Sequence, residues 1–378
     1  MTATQDMERP SEVIVIGAGI VGCAVAQELA RRGASVEVVD ERLIGMGATQ
    51  ASAGILAPYV ESREGSPLFE LTARSLNLFD EFVARASEES GITVPYRRTG
   101  TLDVATNEVE MGRLRQDAQA LTRQGVAAEL VDGSAVRQEE PLLAPNVIGG
   151  LLITAHGFVS ASELTRAVAA SARSHGAQFV QQSRVRRIAR VDGDMTVETD
   201  RGSLQGDAVV LAAGSWSAAI EIEDVTMPLP VRPVRGQLLT LSWNGTTLRR
   251  VLWTRKCYLV PWDDGTVLVG ATLEEAGFDE RATVAGVREL LEGACEIAPH
   301  AATAGFVGAR VGFRPGTSDD LPIIGPSRVM RNLMYATGHY RNGILLAPLT
   351  ARLVADALLE GRVDPGLAAI APSRFGAL

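Results

Sequence analysis

The chain has 378 residues, 46% hydrophobic and 21% charged, with 38 Gly and 17 Pro, a balance that excludes collagen-like, mucin-like and disordered chains. At ~150 residues per domain, this length favours one large composite domain with a smaller one. Lys and Arg number 36 against 45 Asp and Glu, and the resulting formal charge of −9 opposes binding to nucleic acid or anionic lipid.

The uncharged stretch Val13 to Gln27 is short of the ~20 residues that cross a bilayer, and acidic residues flank it, so no membrane insertion or secretion signal is expected. Residues 1 to 10 read as a polar lead-in. Cys23, Cys257 and Cys295 are too scattered for a disulfide scaffold, and the four histidines show no metal-ligand spacing. A reducing, cytoplasmic setting without a structural metal follows.

The apolar run Val13–Ile16 has the composition of a strand buried on both faces, and it enters Gly17-Ala18-Gly19-Ile20-Val21-Gly22 directly. This is a dinucleotide fingerprint in context. Gly17 permits the tight turn, Gly19 lets backbone approach a pyrophosphate, and Gly22 lets the next helix lie against the sheet. That helix runs to Arg32 and stops at Gly33, with its N-terminal amides facing the phosphates. A second strand, Val36–Val39, ends at Asp40, whose carboxylate is placed to accept from ribose hydroxyls. The fingerprint leaves nicotinamide and flavin open. Residues 45 to 58, rich in Gly and Ala, favour close backbone approach to a large flat ligand.

Leu68 to Ala86 shows helical period, with Leu71, Leu76, Leu78, Phe79, Phe82 and Val83 inward. Tyr96 to Ala105 reads as extended, and Glu108 to Gln124 as a charged outer helix. Ser160, with Glu163 three residues on, reads as the N-cap of a helix to about Ser174. Asp207 to Trp216 is a buried-type strand ending in small residues, a return to the nucleotide sheet. Residues 226 to 310 are richer in strands, at Gln237–Ser242, Cys257–Pro261 and Val267–Thr272, and predict a separate, mostly antiparallel sheet.

Near the carboxyl end, the segment Gly312 to Thr317 reads as a Gly/Pro turn carrying Arg314. A strand from Leu333 then enters Gly338-His339-Tyr340-Arg341-Asn342-Gly343 and a helix to about Leu359, with Pro348 in its first turn or distorting it. Amides at this second helix start are suited to the negative charge of a reduced flavin. Arg314 and Arg341 suit either salt bridges or a carboxylate grip, Tyr258 either ring packing or a hydroxyl in a cleft, and His339 either a structural role or orientation of ligand or solvent.

On Val13–Gly22, Asp40, Thr49–Ala57, Val209–Trp216, Cys257–Pro261, Val269–Thr272, Gly312–Thr317 and above all Ala336–Pro348, the chain resembles the flavoenzyme family of glycine oxidase, D-amino-acid oxidase and sarcosine oxidase. It is most similar to the glycine oxidase branch, of the thiamine-biosynthesis type. The resemblance implies an α/β fold in which an FAD-binding Rossmann-like domain (11–90, 151–225, 311–378) carries a second α+β substrate domain on a mostly antiparallel sheet (91–150, 226–310).

By the same resemblance, Gly17, Gly19, Ile20, Val21 and Gly22 form the pyrophosphate loop and Asp40 is the ribose acid. Thr49, Ala53, Gly54 and Ile55 follow the flavin, Val185 meets the adenine, and Gly214 and Trp216 lie on the cofactor side. Gly338, His339, Arg341, Asn342, Gly343 and Ile344 form the turn beside the isoalloxazine. Arg314 is similar to the substrate-carboxylate arginine, Tyr258 to its hydroxyl partner and Arg341 to a second substrate-side arginine.

The implied reaction takes glycine to an imine by hydride transfer to flavin N5, then to glyoxylate and ammonia, with oxygen giving hydrogen peroxide. The alternatives are oxidation or dehydrogenation of small D-amino acids, sarcosine or other N-substituted glycines. A homo-oligomer, a tetramer, and noncovalent FAD are also implied, because the flavin-attaching cysteine of sarcosine oxidases has no counterpart around Val311 to Arg314. Two departures are Lys256, where some glycine oxidases have histidine, and Ala57, where glycine can occur near the pocket entrance.

Overall fold

The apolar run at Val13 becomes an inner strand of a six-stranded sheet in the computed structural model, which describes residues 12–61 and 65–378. The polar lead-in, and position 11 at the expected start of the first domain, lie outside the described residues. Strand Glu12–Ile16 pairs in parallel with Ser35–Asp40 on one side and Ala208–Leu211 on the other. Gln178–Gln181 extends the sheet in parallel at one edge. Beyond Ala208–Leu211 lie parallel Leu333–Thr337 and then antiparallel Ile323–Pro326.

Alternation explains why the first strand has no polar face. Val13 and Val15 enter a core formed with helices Ile20–Arg31, Ala161–Ser174 and Gly343–Glu360, whereas Ile14 and Ile16 join Ile188, Val197 and Leu211. The latter group belongs to a layer built on a four-stranded sheet ordered Gly202–Gly206, Asp194–Thr199, Val185–Val191, Glu221–Ile222. Both faces are thereby covered, the condition under which parallel strands read as continuous apolar runs. Arg32 at the end of the first helix ties it to the last one, with Asp356 at 2.6 Å and Glu360 at 3.0 Å.

The second sheet has eight strands, in the order Gly305–Gly316, Arg232–Ser242, Thr266–Gly270, Tyr258–Pro261, Val251–Trp253, Thr101–Ala105, Gly149–Ile153, Glu129–Asp132. Its pairings are antiparallel except that of Val251–Trp253 with Thr101–Ala105. Leu239, Leu241, Leu252, Leu259, Val267 and Val269 pack with Leu290 and Ala294 of helix Val284–Ile297. Leu238, Val251, Val260 and Leu268 pack on the other face with Ala53 and Phe158. The expected domain edges at 150 and 310 fall inside the strands Gly149–Ile153 and Gly305–Gly316. The chain is thus an α/β protein that joins a mostly parallel nucleotide-type sheet to a mostly antiparallel one.

Some local expectations change. The helix expected over 68–86 is two, Pro67–Asn77 and Phe79–Ser90, broken at Leu78, and Ser66 caps the first by accepting from Leu68 N–H at 3.2 Å. Gly312 to Thr317 is not a turn: residues through Gly316 end a strand paired with Arg232–Gly236. That strand is at the sheet edge, where Pro315 is accommodated without loss of an interior ladder bond.

Pro348 sits in the interior of helix Gly343–Glu360 instead of its first turn. The fully buried Ser75 hydroxyl enters the ladder there, donating to the Leu345 carbonyl at 2.6 Å and accepting from Leu349 N–H at 3.4 Å. Ser75→Ala removes this buried link between the two helices, and chemical denaturation should show a loss of about 0.5–1.5 kcal/mol.

Candidate active site

The first strand ends where the chain turns at Gly17, whose N–H donates to the Val39 carbonyl at 2.8 Å. The helix that follows starts close beneath this turn: a Cβ on Gly22 would lie 1.8 Å from the Gly17 carbonyl oxygen. Gly19 differs. Its φ of −71° suits any residue, and a Cβ there would meet only Thr49 Oγ1, at 3.4 Å. The protein itself leaves room at Gly19, so the reason for a bare backbone lies on the open side, in what approaches it.

The N-cap residue of helix Ile20–Arg31 is Gly19, which has no side chain to cap it. Ile20 N–H donates to Thr49 Oγ1 at 3.2 Å, and Val21 behind it lies on the cavity lining. Such a helix start directs N–H groups and positive dipole at an anion. Asp40 accepts from Ala18 N–H at 2.5 Å on one oxygen and from Arg42 N–H at 2.7 Å on the other. Burial raises its carboxyl pKa and these amide bonds oppose the rise. Each oxygen keeps a further acceptor position for a hydroxyl.

These groups line a large cavity. Its walls include Gly17, Gly19, Ile20, Val21, Asp40, Thr49, Ala53, Gly54, Ile55, Ala57, Val185, Gly214, Trp216, His339, Arg341, Asn342, Gly343 and Ile344. Gly22 and Gly338 are not on the lining. Gly22 lies under the Gly17 turn, and a Cβ on Gly338 would meet Thr317 Cγ2 at 2.9 Å, so both serve close packing. Helix Gly343–Glu360 likewise starts without a side-chain cap, against the same cavity.

The eight-stranded sheet faces the same cavity. Tyr258 and Arg314 both line it, each over a glycine: a Cβ on Gly270 would fall 2.5 Å from the Tyr258 hydroxyl, and one on Gly236 would fall within the Arg314 guanidinium. Arg314 Nη1 donates to the carbonyls of Thr272, at 3.0 Å, and Arg235, at 3.4 Å, which orients the guanidinium. Arg341 is exposed on the turn before the last helix. His339 is buried, 3.0 Å from Thr350 Oγ1, and burial pushes its pKa down to about 4. Its contact with Thr350 links the turn to the helix.

Arg42, Arg184, Trp253 and Tyr340 also line the cavity, and sequence reasoning did not single them out. Arg42 lies 4.6 Å over the Trp216 ring and pairs with Glu280 at 2.6 Å. Its nearness to Asp40 in sequence was the available signal. Trp253 reaches the site by strand pairing, which no local motif records. Lys256 points elsewhere, pairing with Glu296 at the surface.

The family model described as FAD dependent oxidoreductase (DAO) matches residues 12–357. The chain belongs to this family. It is 34% identical to glycine oxidase of Geobacillus kaustophilus over 91% of this chain and 92% of that one. The crystal structure of glycine oxidase from Geobacillus kaustophilus superposes with a TM-score of 0.92, at 33% identity and over 97% and 99% of the two chains. Iminodiacetate oxidase from Chelativorans sp. BNC1 gives 0.85, at 27% identity over 95% and 98%. The Synechocystis bifunctional protein ThiO/ThiG is 36% identical over 98% of this chain, which spans about half, 55%, of its length. Among the described residues no helix is long and apolar enough to cross a membrane.

The uncapped helix starts, the open side of Gly19 and the free acceptor positions of Asp40 fit FAD. Gly19→Val should therefore fold with the thermal stability of the wild-type apoprotein while its flavin-to-protein absorbance ratio drops. Gly22→Val, by contrast, should lower the melting temperature of the apoprotein itself, because the clash is with its own backbone.

Proposed function

We propose that this flavoenzyme oxidises glycine through an imine to glyoxylate and ammonia, with oxygen reduced to hydrogen peroxide. The observation that carries the reading is the placement of the Arg314 guanidinium and Tyr258 hydroxyl over two glycines on one sheet face, in the cavity that also holds Gly17, Gly19 and Asp40 in its lining. Relatives named glycine oxidase, 34% and 33% identical over nine-tenths of this chain, support it. FAD, when bound, supplies the two-electron oxidation of the substrate C–N bond and passes the electrons to oxygen.

In this reading Arg314 grips the amino-acid carboxylate with its planar fork, Tyr258 donates a further hydrogen bond, and Arg341 adds positive charge from the turn. The clamp fixes the α-carbon and nitrogen against the cavity and so provides orientation. In this reading no dedicated side-chain base is needed once the amine binds in its neutral form, and His339, buried and 3.0 Å from Thr350 Oγ1, is assigned no proton transfer. A second reading, oxidation or dehydrogenation of sarcosine, other N-substituted glycines or small D-amino acids, is favoured by the likeness to iminodiacetate oxidase.

Losing a charge-assisted contact costs about 1.5–3 kcal/mol, and about 1.4 kcal/mol is tenfold. Arg314→Ala should lower kcat/KM for glycine at least about tenfold in anaerobic flavin reduction, with Arg314→Lys recovering part and Tyr258→Phe a milder case. Gly236→Ala should mimic the Arg314 loss without unfolding, since the added methyl would displace the guanidinium from its carbonyl partners and not press on backbone. Wild-type reduction by Arg314→Ala at full FAD occupancy would sink the clamp.

The same reading includes noncovalent FAD and a cytoplasmic homotetramer in thiamine biosynthesis. Light scattering of the yellow protein, followed by acid precipitation, tests the first two: a tetramer that releases its chromophore is expected, against a monomer or a coloured pellet.

A further inference from the structure

We infer that Trp253 sets the upper size of the amino acid admitted, as the wall that excludes bulk beyond the α-carbon and nitrogen of glycine. The inference rests on the oxidase reading above and concerns the same site. Its basis is the register of the eight-stranded sheet. Trp253 pairs across strands with Tyr258, and Tyr258 with Gly270, so all three positions present the same face. On that face the rings of Trp253 and Tyr258 lie 5.4 Å apart at 38°, and both line the cavity.

The two flanks of Tyr258 are unequal. Towards the sheet edge Tyr258 faces Gly270, and Gly270 in turn faces Leu238, itself paired with Arg310; two residues along, Gly236, paired with Gly312, leaves bare backbone beneath the Arg314 guanidinium. On the opposite flank stands the indole. Its neighbour beyond is Asp103, in register on Thr101–Ala105, buried and tied to Arg113 at 3.0 Å. The indole is thus flanked on the sheet by Asp103 on one side and Tyr258 on the other. A substrate held by its carboxylate at Arg314 and Tyr258 meets an apolar wall on one side. A simple packing role for Trp253 predicts lost stability on truncation but no change in the ranking of substrates.

The test compares wild type, Trp253→Ala and Trp253→Leu, the last keeping an apolar filler if the first loses FAD. Anaerobic flavin reduction is measured with glycine and D-valine, and binding of the unreactive carboxylates acetate and benzoate is followed by the flavin absorbance change. Opening the wall should raise the kcat/KM ratio of D-valine to glycine at least about tenfold, the scale of one or two methylenes in an apolar pocket, and tighten benzoate relative to acetate similarly. Wild-type ratios in both variants at full FAD occupancy overturn the inference. If no amino acid reduces the wild-type flavin, the oxidase reading fails, and the acetate and benzoate ratio alone decides whether Trp253 is the wall.

Discussion

The approach of helix Ile20–Arg31 to the end of the first strand, closer than any side chain at Gly22 would allow, is the constraint on which the cavity depends. It brings an uncapped helix start to the sheet's carboxyl edge, where Asp40 from the next strand also arrives. Around this contact the sheet is buried by helices on one side and by the four-stranded layer on the other. The nucleotide end is consequently held by backbone geometry, with few side chains committed to it.

The opposite end uses a different device. The antiparallel sheet brings Trp253, Tyr258 and Arg314 to the cavity from separate strands, with glycines at 236, 270 and 312 on the same face. Residues after Gly270 bridge the two ends. Phe278 packs 5.4 Å from Trp216, Glu280 pairs with Arg42, and Glu274 and Asp279 pair with the buried Arg235 at 2.5 and 3.1 Å. Elements flanking the six-stranded and the eight-stranded sheets are thus linked beside the cavity wall.

Charge shows why a global number and a local field differ. The chain carries a formal −9, yet Arg42, Arg184, Arg314 and Arg341 line the cavity, with Asp40 and Glu41 as the acids there. A dinucleotide pyrophosphate is an anion, and charge at contact range governs its binding more than the sum over a screened surface.

The nucleotide half was readable because its signals are local: an apolar run buried on both faces, glycines at fixed offsets and an acid at a strand end lie within residues 13 to 40. Glycine identity alone did not separate function from packing. Gly19 faces open space while Gly22 and Gly338 press on protein atoms, a difference visible only with neighbours in place. The Gly312–Thr317 segment looked like a turn because Gly and Pro disfavour interior strands, and the edge position of that strand removes the objection. Strand, turn and helix types follow from short-range backbone preferences that sequence records. Which strand lies beside which, and therefore that Trp253 stands next to Tyr258 and that Gly236 makes room for Arg314, follows from packing between residues distant in the chain, and only the tertiary structure decided it.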